Sequence, residues 1–457
     1  MDDAAMRGLP ALDGVRALSD ATCAELRDVC AQAGYTEDTL EVISTVYSPS
    51  HHSSTALVRR MLLAVRDGSL AVADILGLLF ACQADLEIAE VRTILGCALT
   101  DALLAAGFLA PGATGTSLRS NFQLLPLDHV WLIADHLING PGSARADVVM
   151  PPGPTTGHLR AVTPAAPLGD VLDVGCGPGS LALVAAQRGA RSVTGTDINP
   201  RAIHMAQFNA RLNGLDSTRF LVGDLAEPVR GEHFDLVVAQ PPFVIQPDAS
   251  VPITFLHGGP TGETITLRVL AAVPDLLRPG GRALVLAEAP TDRSQALHQR
   301  FRAQLAGAPM DLVVLVAPTS SPLRQALVYA ELEADDRSPD YAAAVARYLD
   351  HLDAQGISSF AQVLIVVRAR GGLGADPRTH PFAATVPIKD PRMADGAALD
   401  VLLHALDTAS LDNAALAETA LRVSPAMRWA RRSSAARQRA RSSSETRRSG
   451  GTAVGLP

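Results

Sequence analysis

The stretch Asp170-Val-Leu-Asp-Val-Gly-Cys-Gly-Pro-Gly179 decides the fold of this chain. Residues 170–174 are predicted to form a buried strand, and a helix is predicted to follow over Leu181–Arg188. Glycines at the carboxyl end of a strand permit a tight turn and let a ligand lie against bare backbone. The spacing is GxGxG, and Pro178 lacks the N–H that a pyrophosphate cradle would use. The loop therefore indicates an α/β protein that binds a ligand without phosphate groups.

Alternating helices and strands continue after this loop. Helices are predicted over Pro200–Asn213, Glu263–Leu277 and Arg293–Leu305. Further strands are predicted over Ser192–Thr196, Thr218–Val222, Phe234–Ala239, Arg282–Ala287, Leu312–Ala317 and Ser358–Arg368. A helical insertion at about 318–355, with a helix over Tyr341–Leu352, is predicted before the last strand. Elements of these lengths in this order predict a doubly wound, Rossmann-like sheet of seven strands.

The 457 residues predict two or three domains. Residues 1–140 are predicted to form a mostly helical, winged-helix-like domain, and residues 141–370 the α/β domain. The N-terminal helices are predicted over Leu18–Ala33, Thr36–Val46, Thr55–Val65, Val72–Phe80, Ile88–Leu95 and Ala98–Ala106, and a hairpin over Ser120–Leu125 and His129–Ala134. Residues 138–168 are expected to be irregular. Residues 371–425 are predicted to be a C-terminal extension of loops and one helix, and residues 426–457 a disordered Arg/Ser-rich tail.

Charge and cysteine usage narrow the class of protein. A formal net charge of −8 argues against a protein that coats nucleic acid. The predicted recognition segment Cys97–Phe108 carries no Lys or Arg, so nucleic acid is a weakly supported partner, although the basic tail could contact it. The five cysteines include no CxxC pair, which favours a reducing compartment and no metal site. The start lacks an apolar run and no membrane span is expected, so we expect a cytoplasmic protein.

Two further carboxylates follow the next two strands at the same edge of the sheet. Asp197 lies about twenty residues after the loop, where a carboxylate can accept both hydroxyls of a ribose. Asp224 ends the third strand and is placed to accept the amino group of an adenine, with Ile198 and Leu225 flanking the ring. Taken alone, Asp197 could equally cap the helix that begins at Pro200. The glycine loop, Asp197 and Asp224 follow three successive strands in this order, and together they indicate a nucleoside site.

This set of residues resembles the class I S-adenosylmethionine-dependent methyltransferases, closely over roughly 145–290 and more loosely to about 370. The resemblance implies S-adenosyl-L-methionine as cofactor. It implies that Asp197 holds the ribose and Asp224 the adenine, and that the methionine part is held by Asp173, Gly175, Gly177 and Gly179. An NAD-dependent dehydrogenase is the main alternative, but it would require GxGxxG and a domain with a hydride-transfer site.

The fourth strand ends in a second motif, Gln240-Pro-Pro-Phe243. A carboxamide beside a fixed carbonyl can accept two hydrogen bonds from an NH2 group, and an aromatic ring can stack on a planar amide or base. The motif resembles the Asn/Asp-Pro-Pro-Tyr/Phe motif of methyltransferases that act on planar nitrogens, and most of all the methyltransferase small domain group. That group includes the release-factor glutamine and ribosomal RNA guanine-N2 methyltransferases. The resemblance implies catalytic roles for Gln240, Pro241 and Phe243, with Gln240 also next to the cofactor.

Gln240 departs from the motif, because its side chain is one methylene longer than that of asparagine. An extended glutamine moves the acceptor atom by about 1.5 Å, and a displacement near 1 Å can cost about a hundredfold in rate. Two hypotheses therefore stand. The chain methylates a nitrogen of a protein, a nucleic acid or a small molecule, or it is a non-catalytic S-adenosylmethionine-binding protein with a regulatory or nucleic-acid-binding role.

Overall fold

The computed structural model describes residues 9–44, 70–136, 147–165, 168–247, 254–292, 295–331, 334, 339–371, 381–389, 395–409 and 411. The chain divides into a compact unit of residues 1–410 and a second unit of residues 411–457, and all helices and strands named here belong to the first. The predicted helix over residues 55–65 and the predicted tail over residues 426–457 lie outside the described residues. The predicted domain boundaries stay predictions.

Six helices lie in the described N-terminal ranges. They are α1 (Asp13–Arg16), α2 (Asp20–Gln32), α3 (Glu37–Ser44), α4 (Val72–Leu76), α5 (Ile88–Leu95) and α6 (Cys97–Ala105). Gly77–Ala81 continues α4 as a π-helical turn. The bounds of α2 to α6 confirm five of the six predicted N-terminal helices to within about two residues.

The strands of this region differ from the predicted hairpin. Those in its described part are β1 (Leu86–Glu87), β2 (Leu109–Pro111), β3 (Ser117–Ser120), β4 (Gln123–Leu127) and β5 (Val130–Ala134). The first three form a small sheet in the order β1-β3-β2, so the succession α4, β1, α5, α6, β2, β3 is that of a winged helix. The predicted hairpin is the separate pair β4–β5, and β2–β3 forms the wing. Strands of two to four residues are too short to show alternation, which is why the sequence did not predict β1, β2 and β3.

The central sheet holds eight strands in the described part of the chain. They are β6 (Asp170–Val174), β7 (Ser192–Asp197), β8 (Thr218–Val222), β9 (Phe234–Ala239), β10 (Leu277–Pro290), β11 (Met310–Val316), β12 (Phe360–Ala369) and β13 (Ala383–Pro387). Their order is β13-β11-β12-β10-β9-β6-β7-β8, with β12 antiparallel to both of its neighbours. All seven predicted strands are confirmed. The expected count was wrong by one, because the half-exposed β13 pairs with β11 and lacks a clear apolar alternation.

The helices around this sheet include two that the sequence did not indicate. The described helices are α7 (Pro154–Val162), α8 (Ser180–Gln187), α9 (Pro200–Asn213), α10 (Thr264–Leu276), α11 (Leu297–Arg302), α12 (Pro322–Glu331), α13 (Pro339–Ala354) and α14 (Gly396–Ala409). Helix α7 lies in a stretch expected to be irregular. Its only proline is at the first helical position, where the missing N–H costs nothing. Helix α12 pairs with α13 to form the predicted insertion.

Helix α9 joins the N-terminal region to the central sheet. Its residues Ile203, Ala206 and Ala210 pack into the core beside β6 and β7. Another face packs into the N-terminal core through Ala202, Met205, Phe208 and Leu212. Because α9 is buried on both sides, the two regions share one packed interior.

A buried ion pair reinforces this junction. The carboxylate of Asp135, at the end of β5, lies 2.5 Å from the Arg201 guanidinium of α9, and the two side chains are 1% and 13% exposed. Asp135 also accepts a hydrogen bond from the Val149 N–H at 2.9 Å, and Arg201 donates to the Pro10 carbonyl. Every partner of this pair belongs to a different segment, so the pair links four stretches of chain.

We predict that Asp135→Ala lowers the free energy of unfolding by about 3–5 kcal/mol, because it leaves the Arg201 charge buried without its partner. The matched control is Glu232→Ala, which removes the half-exposed partner of Arg219 and should cost about 0–1 kcal/mol. Denaturant unfolding of both variants measures the difference. Equal losses would show that the pair does not hold the junction.

Candidate active site

The glycine loop after β6 is folded back against the end of β7. The N–H groups of Gly175 and Cys176 both donate to the Thr196 carbonyl, at 2.8 and 2.9 Å. Gly175, Gly177 and Gly179 have φ values of +74°, +53° and +86°. Residues with a Cβ rarely adopt such values, so this loop shape requires glycine. The result is a stretch of bare backbone that faces a cavity.

Asp173 lies beneath this loop. Its side chain is 2% exposed, and one carboxylate oxygen accepts a hydrogen bond of 3.0 Å from the Ala182 N–H in the first turn of α8. Burial, helped by the negative charge of Asp197 and opposed by the hydrogen bond from the Ala182 N–H, raises the pKa of Asp173 to about 7. The carboxyl group is thus held in a dry position at the amino end of a helix.

Asp197 binds the glycine loop directly. One of its oxygens accepts a hydrogen bond from the Gly177 N–H at 2.8 Å, and the other accepts from the Asn199 N–H at 2.9 Å. Burial raises the pKa of Asp197 above its ordinary value. Asn199, rather than Asp197, caps α9, because its side chain accepts from the Arg201 N–H at 3.0 Å. The carboxylate of Asp197 therefore faces the cavity.

Asp224 is held by a residue that the sequence did not single out. One of its oxygens lies 2.6 Å from the guanidinium of Arg268, which α10 carries into the cavity wall. Leu225 has a φ of +50°, a strained value for a side chain of its size. Ile198 is 55% exposed although it is apolar. Leu225 and the exposed Ile198 both line the cavity, where their apolar side chains can enclose a flat ring.

Gln240 stands at the end of β9 on the opposite wall. Its amide nitrogen donates to the Thr155 hydroxyl at 2.8 Å, and its amide oxygen accepts from the Thr156 hydroxyl at 3.2 Å. Both threonines belong to the first turn of α7. Gln240 and Pro242 line the cavity, whereas Pro241 is buried under the turn and Phe243 packs partly against the α12–α13 pair.

A second loop, residues 254–262, braces the Gln240-Pro-Pro-Phe243 turn. The Val244 N–H donates to the Leu256 carbonyl at 2.9 Å, and the Gly258 N–H donates to the Val244 carbonyl at 2.8 Å. A Cβ at Gly258 would lie 2.6 Å from the Pro242 carbonyl oxygen, so only glycine allows this approach. His257, on the same loop, lines the cavity.

These elements enclose a cavity of about 300 Å³ at the carboxyl ends of β6, β7, β8 and β9. The order of the strands reverses between β6 and β9, which is where ligands bind in open α/β sheets. Eight of the eleven residues predicted from the sequence as cofactor or catalytic residues line this cavity. The other three, Gly179, Pro241 and Phe243, are not part of its wall.

Sequence reasoning missed two polar residues of the wall, Thr156 and Arg268, and also Thr155, which binds Gln240 without lining the cavity. The threonines lie in a stretch rich in proline and glycine, and the one available signal was Pro154 at the start of a helix. Arg268 lies on an amphipathic helix where an arginine usually faces solvent.

In the described residues, no group of three or more His, Cys, Asp or Glu side chains could hold a metal ion. No described helix is both long enough and apolar enough to span a bilayer.

The comparisons with known proteins agree on one class of domain. The model of the methyltransferase small domain family matches residues 156–307. A putative protein N5-glutamine methyltransferase of Methanocaldococcus jannaschii is 31% identical over 134 residues, which cover 28% of this chain and 67% of that protein. The release factor glutamine methyltransferase of Moorella thermoacetica is 37% identical over 145 residues, which cover 29% of this chain and 50% of that protein.

A third relative matches over a shorter stretch. The ribosomal protein L11 methyltransferase of Dechloromonas aromatica is 51% identical over 69 residues, which cover 15% of this chain and 22% of that protein. The chain thus spans two thirds of the archaeal relative, half of the Moorella protein and about a fifth of the Dechloromonas protein. The similarity therefore covers part of this chain and part of each of these proteins.

We predict that Asp173 makes stability fall as pH rises. Its pKa is 3.8 in the unfolded chain and about 7 in the folded protein, so its stabilising contribution is full below about pH 4 and is lost as pH rises towards 7. The free energy of unfolding of the native protein, minus that of Asp173→Asn, should therefore fall from pH 4 to 7 and stay constant at higher pH. Denaturant unfolding at several pH values measures it, and a constant difference would contradict the prediction.

Proposed function

The chain belongs to the methyltransferase small domain family, with S-adenosyl-L-methionine as its cofactor, and we propose that it methylates a side-chain amide nitrogen of a protein. The observation that carries this proposal is the position of Gln240. Its carboxamide lies in the wall of the same cavity as Asp173, Asp197 and Asp224. A group that can bind an acceptor nitrogen is therefore next to the groups that can bind the cofactor.

The chemistry of the wall fits the cofactor. Each oxygen of Asp197 accepts one backbone N–H and keeps a further acceptor position, which suits the two ribose hydroxyls. Asp224 binds Arg268 through one oxygen and keeps the other for the adenine amino group, with Ile198 and Leu225 on either side of the ring. We assign the methionine part to Asp173 and to the backbone of Gly175, Gly177 and Gly179.

The residues of the chain act by binding and orientation. The cofactor supplies a methyl group on a sulfonium, which is already activated for transfer. The Gln240 amide oxygen accepts one hydrogen bond from Thr156 and keeps a second lone pair, with which it can bind the acceptor NH2 group and turn its nitrogen towards the cofactor. Positioning of this kind can supply a large part of the rate enhancement. The acceptor NH2 group loses one proton to solvent when its nitrogen gains the methyl group.

Two observations favour a protein as the acceptor. The relatives from Methanocaldococcus jannaschii and Moorella thermoacetica are named for the methylation of glutamine in proteins. The chain carries a formal net charge of −8, which disfavours a polyanionic substrate. A primary amide of a protein satisfies both observations and matches the hydrogen-bonding groups of the site.

We predict that labelled methyl groups from S-adenosylmethionine enter protein fractions of a cell extract, with the label on a side-chain amide by mass spectrometry. Gln240→Ala should lower the rate about a hundredfold, because the acceptor nitrogen is no longer held in place. Gln246→Ala is the matched control, since Gln246 lies outside the cavity wall, and it should leave the rate unchanged.

Nuclease treatment of the extract distinguishes a nucleic-acid acceptor from a protein acceptor. If nuclease abolishes the labelling, the acceptor is a nucleic acid and the proposed protein acceptor is wrong. If neither the native protein nor Gln240→Asn labels any fraction while both bind S-adenosylhomocysteine in calorimetry, the chain does not catalyse methyl transfer.

A further inference from the structure

Gln240 is held on both sides of its carboxamide by α7. The amide nitrogen donates to the Thr155 hydroxyl at 2.8 Å, and the amide oxygen accepts from the Thr156 hydroxyl at 3.2 Å. The Thr156 hydroxyl also accepts from the Gly153 N–H at 3.4 Å, which leaves its own proton for Gln240. The contacts join residues that are 84 and 85 positions apart in the chain.

The helix that carries these threonines is fixed in place along its length. Leu159 and Val162 are 0% and 2% exposed and belong to the core beside β6. At the carboxyl end of α7, one nitrogen of the Arg188 guanidinium donates to the carbonyls of Arg160 and Thr163, both at 3.2 Å. A helix held by its apolar face and at its far end presents the two hydroxyls at defined positions.

The two hydrogen bonds to Thr155 and Thr156 require the full length of the Gln240 side chain. A glutamine reaches about 1.5 Å further than an asparagine, and a misplaced carboxamide can cost about a hundredfold in rate. The two threonines bind both ends of the longer amide, so they determine where its remaining hydrogen and lone pair point. An asparagine in this position would be one methylene short of the same partners.

We infer that Thr155 and Thr156 are positioning residues for methyl transfer, which hold the Gln240 carboxamide in the orientation that binds the acceptor nitrogen. This inference rests on the proposed function. Gln240 and the two threonines then form one unit, in which the longer side chain is compensated by two hydroxyls on α7. Neither hydroxyl is required to touch the acceptor or the cofactor.

The test replaces the hydroxyls and keeps the shape. Thr155→Val and Thr156→Val remove one hydroxyl each, Thr155→Ser and Thr156→Ser retain it, and Thr163→Val is the matched control. Thr163 is at the other end of α7, where its hydroxyl donates to the Leu159 carbonyl at 2.8 Å. All variants are compared in the full chain, with calorimetry of S-adenosylhomocysteine as the measure of cofactor binding.

The direct readout is NMR of the Gln240 carboxamide in protein labelled with 15N-glutamine, assigned by its absence in Gln240→Asn. Loss of one hydrogen bond of about 1 kcal/mol should speed the exchange of the carboxamide protons about fivefold in each valine variant. The serine variants and Thr163→Val should exchange as the native protein does. Unchanged exchange in both valine variants would overturn the inference.

The second readout is labelled methyl transfer to the protein fraction of the extract. The double valine variant should lose at least about tenfold in kcat while its KM for S-adenosylmethionine stays constant, and in the Gln240→Asn background the same substitutions should have no further effect. Equal losses in the serine and valine variants, or additive losses in the Gln240→Asn background, would overturn the inference. Failure of the native protein to bind S-adenosylhomocysteine would instead contradict the proposed function, and the NMR result would still decide the role of the hydroxyls in holding Gln240.

Discussion

The hydrogen bond between the Asp197 carboxylate and the Gly177 N–H is the constraint on which the site depends. This bond of 2.8 Å ties the glycine loop to the end of β7, and the Thr196 carbonyl accepts hydrogen bonds from two further N–H groups of the same loop. The loop is thereby fixed in the wall of the cavity, which lies where the strand order reverses. Asp197 and Asp173 are both buried beside this loop, and burial raises the pKa of each.

The N-terminal region supports this loop from outside. Asn209 on α9 exchanges hydrogen bonds with the backbone of Ile133 at 2.8 and 3.0 Å, and its amide also donates to the Pro178 carbonyl at 2.9 Å. One buried side chain thus connects the β4–β5 hairpin, α9 and the glycine loop. The winged-helix arrangement is joined to the cavity through a shared core, and its α6 lacks the basic residues of a DNA reader.

The sequence predicted best what depends on local pattern. The strands β6, β8 and β9 and the helix α9 begin and end where the apolar runs, the glycine loop and the Asn199 cap indicated. It could not indicate contacts between distant segments, such as Arg268 with Asp224 or Thr155 with Gln240, because no periodicity marks them. Helix α7 was missed since its proline and glycine content is typical of loops, although a proline at the first helical position is compatible with a helix.

The most direct measurement is a crystal structure of the full chain with bound S-adenosylhomocysteine. The central claim is that one cavity holds the cofactor between the glycine loop and Gln240. We predict that the adenine lies between Ile198 and Leu225, that both ribose hydroxyls donate to Asp197, and that the sulfur faces the Gln240 carboxamide. A ligand bound outside this cavity, or one whose sulfur is turned away from Gln240, would contradict the account.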